Sequence, residues 1–169
     1  MTSAELERLY DEHAQALFGF LINLTRSEAD TRDVLQDVFC KMAANPKLLD
    51  PVRDERAFLL RLAHNQAIDL LRRRQTRQKV SAQIQHEAES VFIAAASADE
   101  ETFRAELGTA LAELPSEQRV VVHLRVWEGL TFEAIAELLD IPLNTAASRC
   151  RYGLDKLRAR LRPLYDEIK

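Results

Sequence analysis

Apolar residues recur at three- and four-residue intervals along most of the chain, the period of helices that bury one face. The first run, Leu6, Leu9, Tyr10, His13, Leu17, Phe18 and Leu21, predicts a helix from Ala4 to about Leu24. Ser27, with Asp30 three positions on, has the chemistry of a helix cap. A second helix follows over about Glu28–Ala44, striped by Val34, Leu35, Val38, Phe39 and Met42. Asn45-Pro46 ends it, because the residue before proline is pushed out of the helical region. Leu48 to Arg53 is predicted as loop. A third helix, about Glu55–Gln78, carries Phe58, Leu59, Leu62, Ala63, Ile68 and Leu71 on its stripe and ends in a basic run.

The periodicity then lapses. Residues 80–102 are small, polar and acidic apart from Val91–Ile93, and predict a flexible acidic linker. Helical patterning resumes with Phe103, Leu107, Ala110, Leu111 and Leu114 and stops at Pro115, with Ser116 placed to cap the next helix. That helix is lined by Val120, Val121, Leu124 and Trp127, and Gly129 stands where a left-handed residue closes it. Thr131 caps a short helix over Phe132–Leu139. Asp140-Ile141-Pro142 turns, and a last helix starts between Pro142 and Thr145 and runs to Arg162, with Pro163 as its stop. The fold class is therefore all-α: two small helical domains, 1–79 and 103–169, joined by the linker 80–102.

Charge sharpens this division. The net charge is −4, yet residues 59–79 hold six basic groups and one acidic, while residues 80–118 hold one basic and eight acidic. Residues 119–169 are again net basic. A phosphate footprint needs local positive charge rather than a positive total. Arg72–Lys79 and Arg149–Arg162 are the two candidate stretches. Charges interrupt every apolar run, so no membrane insertion is expected, and the N-terminus lacks a secretory pattern. Cys40 and Cys150 are expected as reduced thiols, and no histidine has ligand-like spacing to either. No metal or cofactor site is expected. The sequence has no Gly-rich phosphate loop and no nucleophile paired with a base, so an enzyme is not expected either.

Thr131–Arg162 has the spacing of a helix-turn-helix: a short helix, a tight turn, and a longer helix ending in basic residues. Ile135 and Leu139 are predicted to point into the core, Ala136 to allow a close helix crossing, and Ile141 to plug the turn. Asp140 occupies a turn position that favours a left-handed backbone. The second helix suits a major groove, with Asn144, Thr145, Ser148, Arg149, Arg151 and Tyr152 facing base edges and Arg125 adding to the same duplex contact. An ordinary hairpin with solvated arginines is the alternative.

The segment TFEAIAELLDIPLNTAASRCRYGLDKLR resembles the promoter-reading helix-turn-helix of extracytoplasmic-function (ECF) sigma factors, and LGTALAELPSEQRVVVHLRVWEGL is similar to its lead-in. LYDEHAQALFGFL, SEADTRDVLQDVFCKM and ERAFLLRLAHNQAIDLLRRRQTR resemble the family's other domain. The resemblance implies a cytoplasmic bacterial factor that carries RNA polymerase core to a promoter. It implies a first domain that docks on the polymerase clamp helices and captures the melted minus-ten strand. It implies a second domain that reads the minus-thirty-five duplex beside the flap, and an anti-sigma factor as a further partner. By this resemblance Asp33, Gln36 and Asp37 fall on the polymerase-binding surface; from the residues alone a solvated acidic face is the default reading. Phe58, Arg61, Asn65, Asp69, Arg72, Arg73 and Arg74 fall on the minus-ten surface. There Asn and Asp suit the edge of an unpaired base and Arg suits phosphate. Phe58 stands where the family often has Trp, Ala147 where a basic residue is common, and Ala146 where a larger apolar residue is common. A helix-turn-helix regulator and a sigma-like decoy for an anti-sigma protein are the competing readings.

Overall fold

The computed structural model describes residues 2–49, 52–80 and 98–167. The linker core and its Val91–Ile93 patch lie outside them. The chain forms two compact units, Met1–Glu87 and Ala88–Lys169.

The first unit is three helices, α1 (Ser3–Thr25), α2 (Glu28–Ala44) and α3 (Glu55–Val80), each packed on the other two. Local chemistry sets their ends. Thr2 and Glu5 form a capping box on α1, each side chain accepting from the other's backbone N–H. Arg26 closes α1 in the left-handed region at φ 56°. Ser27 caps α2 by accepting from the Asp30 N–H, as expected. Asp54 caps α3, its carboxylate accepting from Ala57 N at 3.0 Å. Between α2 and α3, Pro46–Leu49 form a single 3-10 turn where loop was expected from Leu48. Pro46 suits the start of a helical turn, because its fixed φ is helical and its missing N–H is not needed there. The core joins Leu9, Leu17, Phe20 and Leu21 to Val34, Val38 and Met42, and to Leu59, Leu60, Ala63 and Ala67. Two expectations shift in register: Leu60 and Ala67 are buried while Leu62, Ile68 and Leu71 are only half-buried, and Tyr10 is 50% exposed.

The second unit comprises α4 (Ala98–Glu113), α5 (Ser116–Val126), α6 (Phe132–Leu139) and α7 (Leu143–Glu167). Helix α7 packs on the other three. Ala110, Leu111, Leu114, Val122 and Leu157 form one core cluster, with Leu107, Leu154 and Leu161 against it. Several expectations change here. Helix α4 begins five residues before Phe103, and Phe103 itself is 38% exposed. Pro115, not Ser116, is the N-cap of α5 and offers no side-chain cap. The join is closed instead by Arg119, which is buried and donates to the carbonyls of Ala112 at 3.1 Å and Leu114 at 3.0 Å. Trp127 is 40% exposed, stacked on His123, and it is His123 that is buried, 3.2 Å from Glu128. Helix α7 continues through Pro163 rather than stopping there. The proline forfeits one backbone hydrogen bond, and the turn that follows stays helical.

Candidate nucleic-acid interface

Thr131 caps α6 through the Ala134 N–H at 3.2 Å, and Asp140 takes the left-handed conformation, φ 53° and ψ 52°. The chain therefore reverses in three residues, and Ile141 N returns to Ala136 O at 3.0 Å. Gly129 is left-handed at φ 66°, which sets the entry to α6. Ile135 is fully buried as expected; its companion is Leu138, not the half-buried Leu139. A close crossing of α5 and α7 lies at Gly153, where a Cβ would stand 2.6 Å from Val122 Cγ2.

This packing fixes which side of α7 faces outward. Ala146, Cys150, Gly153 and Leu157 form its buried stripe. Asn144, Arg151 and Tyr152 lie exposed on the opposite side, with Ser148 half-buried between them. The Arg151 guanidinium lies 5.0 Å over the Tyr152 ring. Ser148 Oγ donates to Thr145 O at 3.1 Å, which leaves its lone pairs for an amino donor. Arg149 departs from this group. It sits on the flank toward α5, 27% exposed, and pairs with Glu117 at 3.2 Å. Thr145 is half-buried on the same flank. Arg125 is braced at the corner of α5 and α6, donating to Leu130 O at 2.8 Å with its guanidinium 4.8 Å over the Phe132 ring. Burial pushes the Cys150 thiol above its usual range, and the nearby charge of Arg125 works against that.

On α3, Arg61, Asn65, Asp69 and Arg72 are all exposed, at spacings of four, four and three that keep them on one face. Phe58 is half-buried at the start of this face, with the Arg61 guanidinium 6.0 Å over its ring. Arg73 is exposed at its edge. Arg74 is not part of it. Nine residues beyond Asn65, it lies about 180° round the helix, and it forms an ion pair with the buried carboxylate of Asp30. His64, next to Asn65 in sequence, turns inward; burial lowers its imidazole below the usual value and a hydrogen bond with Asn65 opposes the shift.

Asp33, Gln36 and Asp37 are exposed together on α2, opposite Val34 and Val38. Beside them lies a groove of about 440 Å³ between α1 and α2 that the apolar pattern does not reveal, lined by Leu6, Tyr10, Leu35, Gln36, Phe39 and Cys40 among others. Tyr10 meets Phe39 edge-on across it, with ring centres 5.0 Å apart. Glu12, His13 and Glu55 also converge, but Arg8 already bridges the two carboxylates, at 2.8 Å and 3.0 Å.

Residues 9–77 match the family model for Sigma-70 region 2, and residues 104–157 match Sigma-70, region 4. The chain is 31% identical over 166 residues to the ECF RNA polymerase sigma factor SigL of Mycobacterium tuberculosis, covering 96% of this chain and 92% of that protein. It is 28% identical to SigX of Bacillus subtilis, covering 95% and 85%. Its fold is similar to that of the sigma factor RpoE solved with the anti-sigma factor NepR from Bartonella quintana: TM-score 0.80, 22% identity, 94% of this chain and 97% of that one. CnrH, solved with the cytosolic domain of CnrY, is also similar, at TM-score 0.68, 22% identity, and 96% and 90% coverage.

Proposed function

Since this chain belongs to the ECF RNA polymerase sigma factors, non-enzymatic proteins that direct transcription initiation, we propose how its surfaces divide that work. The first unit, within residues 1–79, docks on the clamp helices of core polymerase through Asp33, Gln36 and Asp37. Its α3 face captures the minus-ten strand: Asn65 and Asp69 take the edge of an unstacked base, Phe58 packs against it, and Arg61, Arg72 and Arg73 hold the flanking phosphates. The second unit, within residues 103–169, sits at the flap and lays α7 in the major groove of the minus-thirty-five duplex. Asn144, Ser148, Arg151 and Tyr152 face the bases there, while Thr145, Arg149 and Arg125 lie at the rim. The factor works in the bacterial cytoplasm and is held in reserve by an anti-sigma protein. The complex with an anti-sigma factor described for one of its structural relatives supports that last part.

The observation that carries the reading is the α3 face. Two hydrogen-bonding side chains one turn apart, with arginines before and after them, suit a flipped base and its backbone better than they suit a duplex. Unstacking costs a few kcal/mol, offset only by contacts available in the open state. Asn65→Ala with Asp69→Ala is therefore expected to bind core polymerase and reach duplex promoter normally, yet to open the minus-ten region poorly on linear DNA. A template supplied already melted should restore much of the transcription. Permanganate reactivity of unpaired thymines follows opening directly, and wild-type reactivity from the double variant would remove these residues from the mechanism.

A further inference from the structure

Asp30 is 1% exposed, and apart from Arg74 no hydrogen-bond donor among the described residues engages either of its carboxylate oxygens. Two things near it favour a negative charge. It lies in the first turn of α2, where the helix dipole is positive. The other is the guanidinium of Arg74, which arrives from α3 to pair with Oδ2. Arg74 itself keeps 40% of its side chain exposed. The arginine run has thus been divided by the helix. Arg72 and Arg73 face solvent, while Arg74 follows the stripe of Leu60, Ala63 and Ala67 into the contact with α2.

We propose that Arg74 is a positioning residue rather than a nucleic-acid contact, and that its pair with Asp30 locks the basic end of α3 against the start of α2. The inference rests on the assignment of the α3 face to the minus-ten strand. If Arg74 moved to a phosphate, Asp30 would be left as a buried charge without a partner, and that loss opposes the move. The pair instead fixes where Arg72 and Arg73 stand relative to Asp33, Gln36 and Asp37, the first of which follows Asp30 by one helical turn. Polymerase docking and strand capture are thereby held in one register.

The test measures holoenzyme binding to a promoter fragment whose minus-ten strand is supplied single-stranded, across a range of salt. Loss of one phosphate contact flattens the logarithmic salt dependence of single-strand binding by about 0.7. Arg72→Ala is expected to flatten it so. Arg74→Ala and Asp30→Asn are each expected to weaken binding severalfold at every salt with the slope unchanged and core binding intact. Asp30→Asn with Arg74→Ala should bind no more weakly than Arg74→Ala alone, because it leaves no orphaned charge, and Arg74→Lys should recover most of the affinity. A flattened slope from Arg74→Ala with wild-type binding by Asp30→Asn would overturn the proposal, as would wild-type affinity from both single variants. If Arg74→Ala alone does not fold, the double variant carries the test: recovery of folding supports the pair and failure to recover overturns it. An unchanged slope for Arg72→Ala, by contrast, would remove the arginine face and leave the pair standing.

Discussion

Arg149 and Arg151 stand two residues apart on α7 and have different surroundings. Arg151 projects from the outward side over Tyr152, whereas Arg149 is drawn back to Glu117 on α5. If Arg151 is bidentate to a guanine, Arg151→Ala should cost ~1–3 kcal/mol of duplex affinity and relax specificity at one base pair. Arg149→Ala should weaken all sequences evenly and by less. Binding of holoenzyme to a set of single-base upstream variants distinguishes the two, and matching specificity profiles would place both arginines on the groove. Sequence reading named both without separating them, because the separation depends on Glu117, 32 positions away. Arg74 is no more legible: its inward side follows from Ala67, seven residues earlier, which the sequence pattern leaves off the stripe in favour of Ile68 and Leu71. Its partner Asp30 could not be found from the sequence, which says nothing about which helices meet.

Helix ends were read well wherever the cap is local. Ser27 and Thr131 carry their own cap chemistry, and α2 and α6 have the expected bounds. Boundaries set by tertiary contacts were missed. The α4–α5 join is closed by buried Arg119 rather than by a hydroxyl, and Ala98–Thr102, read as acidic linker, forms a helix start. Acidic side chains favour the first turn of a helix as much as they favour solvent. A glycine carries a further tertiary constraint that the sequence pattern does not reveal. Gly153 lies in the middle of α7 because Val122 of α5 leaves no room for a side chain. Alanine there gains about 1 kcal/mol of helix propensity, but the overpacking it forces typically costs 1–3 kcal/mol, about the same or more. Gly153→Ala is therefore expected to destabilise the second unit. The chain's single tryptophan, Trp127, lies in that unit, so its fluorescence during denaturation reports the change selectively. An unchanged midpoint would mean that Val122 moves aside freely.

Across the whole molecule the modest negative charge conceals a division of charge within the first unit. Acidic Asp33 and Asp37 are exposed on α2, and basic Arg72 and Arg73 are exposed on α3. If Asp37 pairs with a basic group of core polymerase as proposed, reversing its charge costs several kcal/mol, so Asp37→Arg should greatly weaken core binding while the free protein stays folded. Two thiols offer a way to watch this. Cys40 is exposed on the lip of the α1–α2 groove, and Cys150 is buried with its thiol pushed away from ionisation. Since the thiolate is the reactive form, a maleimide dye should attach at Cys40 and spare Cys150, with no engineering of the chain. If core polymerase covers that face as proposed, a dye there, one helical turn from Gln36, should change colour or polarisation on docking. The unaltered protein thus carries its own attachment point for a titration of polymerase docking, and labelled Asp37→Arg should show little change of signal in it.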